Sequence, residues 1–412
     1  MRTFLANNSS NTYPIFLLVI GILCCTPILN RPYFYFVFWA VGLFYALYHM
    51  GSKLYRYYSG LVFCSLSIIV ICLVYRLLDV STASWGRYLT YLFFYLLFVI
   101  LLPLGKISQK QAKYIWWTLS IVFALNILDN IRLSILYPDI NIARKYLDKD
   151  FLSSINAGTG SFYTFCLFFF CVCFFVFLNC KKKKVKYFML GSALLTSVYI
   201  TAFCFKASVV VYFIFALFFL IYAKRTTKIS SFIMIVIATG GLALFLIGIY
   251  EDEIIKYIIS ISPSERLSMR LVTLIDINSE EAHEATITGR TNLYLLSVKT
   301  WLSSPVNFIF GIGDHWSEFD PELTGIGQHS DFLDILGQYG IIGGMLIFVI
   351  LKQSFKFVLS FFEKTYWNQI KTILFIFILC GFTKRVFVPV EFVVFLLLPL
   401  SSLFLNKKTQ LY

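Results

Sequence analysis

Apolar residues run along this chain in repeated blocks of about 20, the length an α-helix needs to cross the hydrocarbon layer of a bilayer. The blocks fall at 14–30, 33–50, 59–75, 88–104, 114–136, 160–180, 187–203, 207–223, 229–250, 339–361, 369–383 and 387–405. Only very short connections separate the pairs that meet around Lys206 and Pro389. Open strands would leave backbone polar groups unsatisfied in lipid, so the spans are expected to be helical. The pattern predicts an all-α integral membrane protein with twelve spans. Nine lie in 1–250, a long polar connection fills 251–338, and three spans and a tail occupy 339–412. Arg2 and a polar stretch precede the first run and no A-x-A pattern follows, so that run is expected to stay as a span.

Composition strengthens this picture. Hydrophobic residues make up 59% of the chain and aromatic residues 19%, with mean hydropathy +0.79. A soluble protein of 412 residues cannot bury that much apolar surface. The ten cysteines fall in or at the ends of apolar runs, and none has metal-ligand spacing with a histidine. They are read as small core or lipid-facing residues.

Charge sets the sidedness. With the N-terminus inside, the inner segments hold twenty of the 35 Lys and Arg residues but only one acid, Glu363. Basic residues favour the inner side of a membrane, so both termini are expected inside. The net charge of +14 then reflects topology and not a nucleic-acid footprint. The "KKKK" run at 181–184 is expected to sit at anionic lipid headgroups. The connections 137–159 and 251–338 face outside, and long connections of this kind are often functional.

Within the long outer connection, the pattern from about Arg290 to Ser303 is helical, with Leu293, Leu296 and Trp301 roughly on one face. Ser303-Ser304-Pro305 supplies its stop, and such a helix suits the membrane interface with Trp301 at headgroup depth. "FGIG" (310–313) is a glycine-punctuated turn. A further helix is expected to start near His329 or Ser330, with Asp331 and Asp334 in its first turn, and to run through Ile341 into the membrane. The partial positive charge at a helix N-terminus favours a neutral imidazole at His329. That group can take a proton from an attacking hydroxyl, with Asp331 orienting its other nitrogen, or it can simply cap the helix. Asp331 and Asp334 can equally be first-turn acids that complement the helix dipole.

Several cations stand on the outer face against the general bias: Arg290, Lys206, Arg132, Arg144, Lys384 and Arg385. Arg132 has Asp129 three residues earlier, and Lys384 or Arg385 has Glu391 nearby. Lys206 sits where two apolar spans meet, without an obvious local partner. Taken together, such cations suit a diphosphate on a lipid carrier. The sequence holds no P-loop, H-E-x-x-H, G-x-S-x-G or dinucleotide fingerprint, so chemistry at this face requires a donor that is already activated in the membrane.

Two segments carry a family resemblance. "TGRTNLYLLSVKTWLSSPVNFIFGIG" resembles the G-R, aromatic and N/P-x-x-G-x-G segment of the Wzy-type O-antigen polymerases and the related WaaL-type O-antigen ligases. "HSDFLDILGQYGIIGGMLIF" resembles their H-[NS]-x-[FYL]-[LIV] segment followed by G-x-x-G as the next span begins. The resemblance implies a GT-C-like fold and a metal-independent, inverting transfer from an undecaprenyl-diphosphate-linked glycan, with no cofactor. It implies His329 as general base and Arg290 as diphosphate ligand, with Lys206 in "FKAS" at the place of a second arginine; Arg385, one of the outer cations, is a further candidate for the diphosphate. Asp331 is the candidate orienting acid. The expected setting is a bacterial cytoplasmic membrane with the site on its outer side, alongside membrane lipids, a flippase and a chain-length regulator. Polymerase is the favoured activity, with ligase as the alternative. A lipid-oligosaccharide flippase is disfavoured by the scarcity of charges within the spans and by the long outer connection.

Overall fold

The structure is a computed structural model that describes residues 12–24, 58–78, 98–136, 160–203, 207–225, 288–315, 324–327, 330–384, 386 and 393–405. The runs 33–50 and 229–250 lie outside these residues, as do the connection 137–159 and all of 251–287. The helices, in chain order, are α1 (Thr12–Cys24), α2 (Ser59–Leu77), α3 (Gln109–Leu136) and α4 (Gly160–Asn179). Next come α5 (Lys183–Val198), α6 (Ala207–Arg225), α7 (Thr288–Leu302) and α8 (Pro305–Phe310). The last are α9 (Asp331–Ser360), α10 (Trp367–Thr383) and α11 (Leu398–Ser401). Regular structure among the described residues is all helical.

Six described helices are long and apolar enough to cross a membrane: Ser59–Leu77, Gln109–Leu136, Phe162–Asn179, Lys183–Phe203, Asp331–Ser360 and Lys364–Thr383. Val209–Lys224 and Val393–Phe404 are shorter apolar helices. Six spans, rather than the expected twelve, therefore have full length among the described residues.

Contacts divide the chain into two compact units. The first comprises Met1–Val122, Asn292–Phe362 and Ile378–Tyr412; the second comprises Phe123–Thr291 and Glu363–Phe377. In the first unit α3 starts at Gln109, ahead of the apolar run, because Ser108 and Gln111 cap each other's backbone. Ser108 Oγ accepts the Gln111 N–H at 3.3 Å and Gln111 Oε1 accepts the Ser108 N–H at 3.1 Å. The buried stretch before α3 packs on the C-terminal helices, with Phe98 edge-on to Phe395 at 4.9 Å and Trp116 against Phe404 at 4.3 Å. Tyr13 on α1 donates to the Ile100 carbonyl at 2.8 Å. Phe63, Val70 and Leu77 on α2 remain exposed, an apolar face suited to lipid.

The second unit is built around α4, which is apolar on every side and is accordingly enclosed. Every side chain from Tyr163 to Cys173 is buried. Phe165 meets Phe123 edge-on at 4.9 Å, Phe170 meets Phe213 at 4.7 Å and Phe168 meets Phe377 at 5.9 Å. Helix α5 ends in a π turn, Tyr199–Phe203, whose buried Tyr199 stacks on Tyr163 at 5.9 Å. One polar side chain clamps the other end of this unit. Gln369 donates through Nε2 to the Leu220 carbonyl at 3.0 Å and accepts from Asn179 Nδ2 at 2.8 Å through Oε1. Arg132 pairs with Asp129 at 3.0 Å, as their spacing suggested. The described cysteines are buried and free of disulfides.

Gln369→Ala removes a donor from the Leu220 carbonyl and one of two acceptors from the Asn179 amide, which keeps its bond to the Phe175 carbonyl. The variant is expected to lose about 1–3 kcal/mol of stability. Thermal unfolding in detergent checks this, and an unchanged midpoint would remove the clamp from the account.

Candidate functional site

The two segments that carry the family resemblance lie in α7, α8 and the start of α9, and the fold binds them together. Helix α7 covers Thr288–Leu302 and stops at the Ser-Ser-Pro stretch. Ser304 then caps α8 by accepting the Asn307 N–H at 3.0 Å, with Pro305 in the first turn. Along α7, Tyr294, Ser297 and Thr300 recur every three residues and so share one face. Tyr294 donates to the Thr383 carbonyl at 2.8 Å, Ser297 to Asp334 Oδ1 at 2.7 Å, and Thr300 to the Gly325 carbonyl at 2.6 Å. Ser297 Oγ also accepts the Gly327 N–H at 2.9 Å and is fully buried. This hydroxyl row, which the apolar pattern did not reveal, orients α7. Leu293 and Leu296 are only half-buried.

Trp301 closes the turn after α7. Its Nε1 donates to the Phe308 carbonyl at 3.0 Å, and its ring stacks on Phe308 at 5.1 Å. Leu302, Val306, Ile309 and Phe310 leave apolar side chains exposed, as expected of a segment at a membrane interface.

Helix α9 starts where the sequence suggested, with Ser330 as its cap. Ser330 Oγ accepts the Leu333 N–H at 3.1 Å and donates to the Gly381 carbonyl at 3.1 Å. The helix is not continuous. Gly340 has φ 61° and ψ −162°, which breaks it into two pieces. That break frees carbonyls that a straight helix would use internally. The Gly337 carbonyl accepts the Ile312 N–H at 3.1 Å and the Gln338 carbonyl accepts the Gly313 N–H at 2.8 Å. The glycine turn therefore completes the broken helix. Gln338 Nε2 donates to the buried Asp314 Oδ1 at 3.0 Å, and Tyr75 at the end of α2 donates to the Phe310 carbonyl while stacking on Tyr339 at 6.0 Å.

Asp331 and Asp334 are buried rather than displayed to solvent. Asp334 is held by Ser297. Asp331 Oδ2 accepts the Val386 N–H at 2.6 Å, and the Asp331 N–H donates to the Lys384 carbonyl at 3.3 Å. The residues on either side of position 385 are thus bonded to a residue two beyond position 329. His329, Lys206 and Arg385 lie outside the described residues. Arg290 falls in the first turn of α7, and its backbone alone is described. Among the described residues, no group of three or more His, Cys, Asp or Glu side chains is placed to hold a metal ion.

The arrangement can present the N-terminus of α9 as a fixed edge. Its first turn is tied to α7 through Asp334 and to the 384–386 backbone through Asp331. Such hydrogen bonds each contribute about 0.5–1.5 kcal/mol.

Residues 206–348 match the family described as O-antigen ligase (Wzy_C), which supports the O-antigen ligase/polymerase family. The matched stretch contains Lys206, Arg290, His329 and Asp331, whereas Arg385 lies beyond it. No curated protein matches the chain.

A Cβ at Gly340 would lie 2.3 Å from the Ile309 carbonyl oxygen, and the backbone there is left-handed. Gly340→Ala is expected to lower the unfolding temperature, with at least about 1–2 kcal/mol lost from the backbone alone. Gly191→Ala, where nothing lies within 4 Å of the added carbon, is the control and should be neutral or stabilising. Equal behaviour of the two in thermal unfolding would refute the broken-helix account. Ser297→Ala removes a donor from Asp334 and an acceptor from Gly327. A loss of about 1–3 kcal/mol is expected by the same measurement.

Proposed function

We propose that this protein is a polymerase that joins undecaprenyl-diphosphate-linked oligosaccharide repeats into O-antigen or capsular polysaccharide. The family match points to O-antigen ligase or polymerase chemistry in general. One observation supports glycosyl transfer at these segments: Ser297–Asp334 and the Ile312 and Gly313 N–H groups hydrogen-bond the two resembling segments to each other. Catalysis by positioning calls for such a fixed frame.

In this reading the diphosphate of one lipid-linked glycan rests against Arg290, Lys206 and Arg385. A sugar hydroxyl of a second lipid-linked unit gives its proton to His329, and its oxygen attacks the anomeric carbon from the face opposite the diphosphate. The bond from that carbon to the diphosphate oxygen breaks, the configuration inverts, and the lipid diphosphate leaves with its charge stabilised by the cations. Asp331 acts as a positioning residue, since it bonds the backbone on both sides of Arg385. No metal or cofactor enters the reaction. We further propose a GT-C-like chain of twelve spans in a bacterial cytoplasmic membrane, with termini inside and the reacting groups outside. A flippase would supply the substrate and a chain-length regulator would limit the product.

The matched family's description favours one second reading, transfer of a finished chain to a lipid A core or another acceptor. Purified protein given only lipid-linked repeats separates the two. A ladder of products is expected, whereas inactivity until another acceptor is added would assign the ligase. In that assay His329→Ala should abolish elongation while membrane insertion persists; normal chain length would eliminate His329 as base. Arg290→Ala should raise the donor concentration needed for half-maximal rate, and an unchanged donor dependence would remove its phosphate role.

A further inference from the structure

One end of the second unit gathers positive charge from three separate stretches of sequence. Lys181, Lys182, Lys183 and Lys184 are exposed between α4 and α5. Lys224 at the end of α6, and Lys364 and Lys371 around the start of α10, are exposed as well. The fold joins these stretches directly. Lys224 donates to the Leu178 carbonyl, Asn179 donates to Gln369, and Gln369 donates to the Leu220 carbonyl. Seven exposed ammonium groups therefore surround one helix-end cluster. Glu363 is the exposed acid in this stretch, and none of the seven lysines forms an ion pair with a described carboxylate.

Local helix stability does not explain this arrangement. Lys182 stands at the N-cap position of α5 without a side-chain cap bond, and Lys183 and Lys184 are its first residues. A helix N-terminus carries partial positive charge and favours acids, so lysines there repel it. The expected sidedness puts all three stretches at the inner face, and the hydrogen bonds among Leu178, Asn179, Leu220, Lys224 and Gln369 gather them at one end of the unit. The aromatic residues at this end fit a headgroup region: Tyr187 is exposed, Lys371 lies over the Trp367 ring at 5.6 Å, and Lys186 lies over Phe177 at 5.3 Å.

We propose that this end of the second unit is a binding surface for anionic phospholipid, with lysines from 181–184, from α6 and from the start of α10 engaging lipid phosphates together. The opposing charge that the lysines lack within the described protein comes from the headgroups. The surface is separate from the transfer chemistry proposed above, so either assignment can fail without the other.

The test uses the full chain in nanodiscs of phosphatidylcholine, with and without phosphatidylglycerol, and follows thermal unfolding. The anionic lipid is expected to raise the unfolding temperature, and the rise should shrink at high salt. A combined Lys181→Gln, Lys182→Gln, Lys183→Gln and Lys184→Gln variant should lose most of it. The separate combination Lys224→Gln, Lys364→Gln and Lys371→Gln leaves the loop run intact and should also reduce it. A rise that this second variant retains in full would overturn the assembled surface, even if the first variant fails to insert. Inorganic phosphate added to phosphatidylcholine nanodiscs should have no effect; an equal rise would assign the lysines to free anions and overturn the lipid reading.

Discussion

The carbonyls of Gly337 and Gln338 need donors, because the positive φ of Gly340 takes the next turn of helix away from them. In apolar surroundings an unpaired backbone group is costly by several kcal/mol, so the break can exist only where other N–H groups reach it. Ile312 and Gly313 supply them. Their approach requires a turn with almost no side chain, since a Cβ on Gly311 would lie 2.3 Å from the Gln338 backbone. Once the turn is seated, α8 and α7 lie beside α9, and the row of hydroxyls on α7 finds its acceptors. The tie from Ser297 to Asp334 is thus a consequence of the break several residues later.

Selection among partners in such a protein rests on close approach and hydrogen bonding, because lipid tails solvate an apolar face as well as another helix does. The glycines of this region follow that rule. A Cβ at Gly327 would lie 1.9 Å from the Leu293 oxygen, and one at Gly381 would lie 2.4 Å from the Phe332 ring. Both positions let an element sit closer than any side chain would permit. The polar ties then fix rotation and register, which apolar contact alone leaves loose. In the second unit Gln369 plays the same part within a core rich in phenylalanine.

Features with local causes were legible in the sequence. The end of α7 at Ser-Ser-Pro, the glycine turn, the start of α9 beside Ser330 and the Arg132–Asp129 pair all depend on residues a few positions apart, and all appear as read. Features with distant causes were not. Gly340 lies in a mainly apolar stretch, and nothing in its sequence distinguishes it from Gly343 or Gly344; only the turn at 311–313 gives the break its meaning. Asp331 and Asp334 look like ordinary first-turn acids until Val386 and Ser297 arrive from elsewhere. The early start of α3 was readable, since Ser108 and Gln111 form a local capping pair, yet the apolar run at 114 drew the boundary instead.

The two compact units are interleaved along the chain. The second consists mainly of 123–291 but also needs 363–377, and the first returns at 292–362 and again after 377. Gln369, which fastens the ends of α4 and α6, is therefore synthesised some 145 residues after the last helix it holds. Proteins whose domains are contiguous can settle one after another as they leave the ribosome. Here the early helices must wait with their polar ends unfastened until residues 363–377 are made. Biogenesis, and not only the finished fold, thus places a demand on this sequence: α4 has to remain soluble in lipid before it becomes the most enclosed helix of its unit.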